Sequence, residues 1–501
     1  MVSGEMALAD SVSHDWRHRL AAPAAFMFLG FALMAMIAVA PGGRGLGVAA
    51  PASRWLSGGG VFSWLSKRLG ISALSSGRLA AFYLFALVLL FLSFLWALAI
   101  AAKTKKASRP VLVGCAIAFG LVVTFVPPIM AKDLFNYAAY GRMISAYGRN
   151  PYLFAPRAFP HEPVVQYISW KGAVSVYGPL FSYISAAATA VVGRSAVSAV
   201  VAFKLLALGF YAATVFLTDE LARRMRPERR SFIVVAAAWN PLVVLLLVGG
   251  GHNDTMMVFL VVLGLLLYHT GRPVWSVISV VLAALVKTTA LLFLVPLLVL
   301  FLRENARWGL RKYLQAAISV VAVAVAFYAP LWPGARGFFK ILSVGSGYSS
   351  ASVPRFMKDD FTSLLKMSGY SSTSASTFSG IAVKVIFLAA FAVAFLWLSY
   401  KVTDFHSLVR NSGLIAFAFI VTATWLMPWY AGFMVVVAAL SGSYLIVGAT
   451  TGATFVMLLL LPGSYQLPRE LVPVFLLVTA LVLVVGLFFS ARRHGELLPG
   501  T

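Results

Sequence analysis

Asp133, Asn136, Tyr137 and Tyr140 stand three, four and seven positions apart, so a helix would carry all four on one face. They follow directly on an apolar stretch that ends in Pro127-Pro128. A carboxylate backed by an amide and two phenols, at the mouth of a membrane span, suits the handling of a polyhydroxylated substrate. The same residues would also suit a hydrated helix end with Asp133 as an ordinary N-cap.

A second polar group, His252-Asn253-Asp254, follows three glycines between two apolar runs. Ionisable groups at membrane depth are costly and are functional candidates by default. Asn253 and Asp254 are also good caps for the helix that follows. Two candidate ligands, His252 and Asp254, are not a metal signature, so no cofactor is expected and a divalent metal is not indicated. Lys287 interrupts another apolar run; it either snorkels, pairs with a carboxylate or meets a phosphate. Arg142, Arg149 and Arg355 are further phosphate candidates, because a guanidinium binds phosphate in bidentate fashion. Tyr177, Trp425, Trp429 and Tyr430 add aromatic surface, either as an interfacial belt or as stacking faces for sugar rings. No Gly-rich nucleotide loop, Walker sequence or nucleophile elbow is present in the sequence, which leaves nucleotide-driven chemistry without a visible home.

The elements that position these groups are dictated by composition. Of 501 residues, 61% are hydrophobic and 11% charged, against roughly half and a quarter in soluble domains. Apolar runs of about 20 residues recur, the length a helix needs to span a bilayer, so the expected fold class is all-α, a polytopic transmembrane helical bundle. The net charge of +25 is read as the cytoplasmic Lys/Arg excess that sets topology, with some attraction for anionic headgroups. It is not read as affinity for nucleic acid. The single Cys115 rules out an intrachain disulfide. Ala22 to Ala40 reads as a first span, with no cleavable signal peptide.

Basic clusters thread the chain. Arg17 and Arg19, then Lys103 to Arg109, then Arg223 to Arg230 mark the cytoplasmic side. Val111 to Met130 then leads outward and puts Asp133 on the external face. Parity demands broken segments near Gly193 and at Lys287, and irregular backbone at depth is tolerated where it lines a cavity. Phe232 to Val248 is expected to be one outward span. The count comes to about 14 crossings, short ones included. The chain reads as one domain, 1–501, with a cytoplasmic N-terminus at 1–21, a catalytic outer loop at 131–178, a second long outer loop at 331–378 and a cytoplasmic C-terminus at 491–501.

Lys132 to Arg142, Asn150-Pro151-Tyr152, Ser175 to Leu180, Trp239-Asn240-Pro241 and Gly250 to Asp254 together resemble the bacterial polyprenol-phosphate-mannose-dependent α-1,6-mannosyltransferases of the C-type integral-membrane glycosyltransferase superfamily. The likeness runs from about Val111 to Tyr430. It implies a donor sugar on a polyprenyl phosphate, a glycan or glycolipid acceptor, and an active site on the external face of the bacterial plasma membrane. The family's catalytic aspartate falls on Asp133, as general base for an acceptor hydroxyl. Asn136, Tyr137, Tyr140, Arg142, Tyr177, His252, Asn253, Asp254, Lys287 and Arg355 are then substrate-binding candidates. Single displacement implies inversion. Ser175-Val176 departs from the small polar pair expected before Tyr177. Two alternatives stand beside this: the same chemistry with lipid-linked arabinose, glucose or galactose, or a flippase or transporter of lipid-linked or anionic solutes. A transporter would show repeat symmetry between halves, and none is visible.

Overall fold

The computed structural model describes residues 2–40, 60–104, 107–129, 132–343, 347–349, 352–459, 477–479 and 481. Among these there is no strand, and six helices are long and apolar enough to cross a membrane. They lie within α1 (Val2–Val39), α3 (Ser76–Lys103), α7 (Ala196–Met225), α12 (Asn305–Tyr328), α15 (Ser372–Tyr400) and α16 (Phe405–Thr422). A short helix, α2 (Val61–Arg68), packs beside α1. Shorter apolar helices fill in between: α4 (Arg109–Thr124), α6 (Pro179–Val192), α9 (Asp254–His269), α10 (Pro273–Ala284) and α11 (Leu291–Arg303). The protein is an all-helical membrane protein.

Burial separates two layers. The innermost elements are short: α8 (Arg230–Ala238), the π-helix Val243–Val248 and α17 (Ala431–Leu440), with nearly every side chain buried. The long helices α12 and α15 lie at the periphery. They turn Ile318, Val321 and Val325, and Ile381, Val385 and Leu388, outward. An exposed apolar face of this kind suits lipid, where apolar side chains lose nothing by facing the solvent. After α17 the described chain continues through α18 (Tyr444–Leu459). The expected cytoplasmic end at 491–501 lies outside the described residues.

Both expected breaks are present. α6 starts on Pro179, whose missing N–H is harmless in a first turn, and stops at Val192 ahead of the turn at Gly193. Ser195 then caps α7, its hydroxyl accepting from Ser198 N. α10 ends at Ala284, and the chain turns through Lys287 before α11.

Three expectations need correcting. The span Phe232 to Val248 is not one helix. It breaks at Trp239-Asn240-Pro241, because a proline lacks the donor for helical bonding and restricts the residue before it. Asn240 Oδ1 accepts from Leu242 N at 2.9 Å and restarts the chain as a π-helix. The span Val111 to Met130 stops early, at Thr124, short of Pro127. The segment 331–378 carries α13 (Gly334–Ser343) and α14 (Val353–Met367), the latter capped by Ser352 with Pro354 in its first turn, and α15 already begins at Ser372.

Candidate active site

α5 (Asp133–Ser145) opens on its carboxylate, where the helix N-terminus favours negative charge. The helix is buried almost all round, with Asn136, Tyr137 and Tyr140 among the buried side chains, and it packs along α6. Asp133 itself keeps an 18% exposed side chain.

Two turns meet it. The first follows the π-helix, where Gly251 at φ +68° redirects the chain, a conformation other residues rarely adopt. This places His252 Nδ1 4.0 Å from Asp133 Oδ2 and 3.5 Å from Tyr137 Oη. Tyr137 donates to Asn253 Oδ1 at 3.3 Å, and Trp429 stacks on the imidazole with ring centroids 4.6 Å apart. The second turn brings Lys287, whose Nζ donates to both Asp254 oxygens at 2.8 Å and sits 4.3 Å from the centre of the Tyr430 ring.

The turns are fastened by main chain. Gly178 N and Leu180 N donate to the carbonyls of Val286 and Leu285 at 3.0 and 3.1 Å. A Cβ on residue 178 would overlap the Leu285 carbonyl, so the Tyr177-Gly178-Pro179 sequence can dock there only with glycine at its centre. Tyr177 then stands edge-on to Tyr137 at 4.8 Å, and its carbonyl accepts from Tyr152 Oη at 2.6 Å. Asn150 supports Tyr152 by accepting from its N–H and donates to Leu331 O.

Electrostatics set the three ionisable groups apart. Burial pushes the Asp133 pKa up to about 6; Lys287 opposes the shift and Asp254 adds to it. Burial, aided by the Lys287 charge, holds His252 well below the usual imidazole range, hence neutral. Burial also works against the Lys287 ammonium, but Asp254 foremost, with Tyr430 and Asp133, more than offsets it, and its pKa rises. The result is a weakly acidic carboxyl beside a neutral imidazole and a fixed cation. Three buried polar atoms of this corner, Asn136 Oδ1, His252 Nε2 and Asn253 Nδ2, have no hydrogen-bond partner among the described residues. Buried polar groups are rarely left so, and a bound hydroxylated ligand would satisfy them. Among the described residues no three His, Cys, Asp or Glu side chains are grouped to hold a metal ion.

The structure thus brings together Asp133, Asn136, Tyr137, Tyr177, His252, Asn253, Asp254 and Lys287. Tyr140 is adjacent, its hydroxyl donating to Ala173 O. Arg142 is turned to Glu162, which it binds through two N–H groups at 3.0 and 3.3 Å. Arg355 pairs with Asp359 along α14, with both side chains about half exposed, and no described contact ties it to the corner. The roles of Trp429 and Tyr430 against His252 and Lys287 were not marked by spacing, since more than 140 residues separate the partners.

A family model described as alpha-(1->6)-mannopyranosyltransferase, N-terminal domain, matches residues 27–303, which contain the whole corner apart from Trp429 and Tyr430. Alpha-(1->6)-mannopyranosyltransferase A of Mycobacterium tuberculosis is 27% identical over 365 residues, covering 68% of this chain and 67% of that protein. The protein of the same name from Corynebacterium glutamicum is 28% identical over 168 residues, 33% of this chain and 34% of its own length. A probable alpha-(1->6)-mannopyranosyltransferase of Mycolicibacterium smegmatis is 28% identical over 124 residues, 24% of this chain and 22% of its own. With its matched segment spanning more than half of its length, this chain belongs to the alpha-(1->6)-mannopyranosyltransferase family.

Proposed function

We propose that the protein is a membrane mannosyltransferase that moves mannose from a polyprenyl-phosphate donor to a hydroxyl of a glycan or glycolipid, with inversion and an α-1,6 product, on the external face. The observation that carries this reading is the corner itself: Asp133, with its raised pKa, beside the Lys287–Asp254 pair. Family membership and the relatives' names support the mannosyl transfer. The external placement rests on the basic clusters, which fall on the opposite side of the spans from Asp133.

In this reading Asp133 takes the proton of the acceptor hydroxyl as its oxygen attacks C1 of the mannose. The bond from C1 to the phosphate oxygen breaks on the opposite face, so a β-linked donor gives an α product. A base whose pKa lies near the working pH is effective, and such assistance contributes about a hundred- to ten-thousandfold. Lys287, already held as a cation, stands ready for the charge that gathers on the departing phosphate. Neutral His252 and Asn253 present unused nitrogens to sugar hydroxyls.

Incubating the purified protein with polyprenyl-phosphate mannose, arabinose, glucose or galactose and a mannoside acceptor tests this by product mass and linkage. A mannosylated product with mannose donor alone is expected. Turnover with another donor only would reassign the sugar, and none with any of them would overturn the reading.

A further inference from the structure

One ionisable side chain in the core has no part in that chemistry. Lys204 lies in the first third of α7 and is fully buried, 0% exposed. Its Nζ donates to Val123 O at 2.7 Å and Val126 O at 2.5 Å, and among the described residues it has no carboxylate partner. An ionisable side chain inside a membrane helix with only carbonyls for company is costly, and it is a functional candidate by default.

What it holds is the approach to Asp133. α4 ends at Thr124, and its last carbonyls have no helical partner; the Lys204 amine satisfies Val123 there. Val126 lies in the turn beyond, directly before Pro127-Pro128. From there the chain runs to Ile129, whose N–H donates to Gly249 O at 3.2 Å, and on to Asp133. The stem of the same lysine supports the opposite wall. A methyl built on Gly251 would meet Lys204 Cγ at 3.2 Å and Leu134 Cδ2 at 3.5 Å. Lys204 therefore stands between the segment that delivers Asp133 and the turn that delivers His252.

We propose that Lys204 is a positioning residue: by tying the Val123–Val126 carbonyls to α7 and backing Gly251, it fixes Asp133 against His252. This rests on Asp133 being the base. Misplacing a reacting group by about 1 Å can cost about a hundredfold, so the tie should be read in turnover more than in binding.

The test uses the full chain in lipid nanodiscs, with Lys204→Met, Lys204→Gln, Asp133→Asn and the Lys204→Met/Asp133→Asn double variant. Lys204→Met is expected to lower kcat at least about tenfold while KM for donor and acceptor stays within about twofold. Lys204→Gln, which keeps N–H donors, should fall between it and the parent. If Lys204 works through Asp133, Lys204→Met should add less than about twofold to the loss in the Asp133→Asn background. Parental kcat in Lys204→Met, losses that multiply in the double variant, or failure of both Lys204 variants to fold would each overturn the proposal. A near-normal Asp133→Asn variant would instead sink the reaction reading, which separates the two failures.

Discussion

Asp133 and Asp219 are both carboxylates shielded by this fold, and their surroundings are opposite. Asp219, on α7, has a 1% exposed side chain and is met by Arg230, whose Nε and Nη2 both lie 2.7 Å from Oδ1. Arg109 Nε lies 3.0 Å from the other oxygen, an ion pair by distance although the N–H is not aligned on it. The pair of arginines draws α4, α7 and α8 together at one end. Among the described residues no cation pairs with Asp133: the imidazole of neutral His252 lies 4.0 Å away, and Lys287 is spoken for by Asp254. One carboxylate is ion-paired by two arginines and serves as a clasp; the other is left incompletely solvated and so able to take a proton. Burial alone does not distinguish structure from chemistry; the partner count does.

The largest effect should come from Asp133→Asn, which keeps shape and removes the base. Transfer is expected to fall at least about a hundredfold with donor binding retained, measured by initial rates and equilibrium binding. Near-normal turnover would leave Asp133 as a first-turn carboxylate with no catalytic part and erase the contrast with Asp219.

Protonation should mimic that variant. The active form of Asp133 is the carboxylate, and its pKa is raised to about 6. The rate should therefore fall about tenfold per pH unit below that value and level off above it. A rate that is flat from pH 5 to 8 would exclude Asp133 as the titrating base.

Lys287→Ala sharpens the comparison from the other side. It removes the cation that lowers the Asp133 pKa, so the acid limb should move to higher pH, and kcat should drop about tenfold as the leaving phosphate loses its cation. It also strands Asp254, at a cost of about 3–5 kcal/mol in stability. Adding Asp254→Asn should recover the melting temperature and leave the rate low. Recovery of the rate as well would mean that the pair is only structural.

The smallest catalytic effect belongs to Asp219→Asn. Its loss should be one of stability, about 3–5 kcal/mol on breaking a buried pair, with kcat within about twofold in the protein that remains folded. A large fall in kcat at unchanged melting temperature would make the clasp part of the reaction.

Spacing made one half of the site readable. Asp133, Asn136 and Tyr137 share a helical face, and short-range order is what periodicity reports. The breaks near Gly193 and at Lys287 were readable too, as the simplest threading that satisfies charge parity. What escaped was tertiary. Lys204 is a lone ionisable residue in an apolar stretch of α7 and Asp219 stands beside Glu220 near its end, and their partners are carbonyls or arginines on other elements. The π-helix after Pro241 has no compositional mark. Arg142 had the right type for a phosphate ligand, but Glu162, twenty positions on, takes up its guanidinium. The helix α14 could have been anticipated from Ser352 followed by Pro354, a cap and first-turn pair that the length of the surrounding segment obscured.

The hydrogen bonds from Gly178 and Leu180 to the Lys287 turn involve no side chain except the absence of one at Gly178. The gap between the two halves of the corner is consequently a property of the peptide backbone. Its lining can be exchanged residue by residue, for a different sugar or a different acceptor, without altering the span that the reacting groups must bridge. Relatives that share this turn should differ in what they hold and agree in how far apart they hold it.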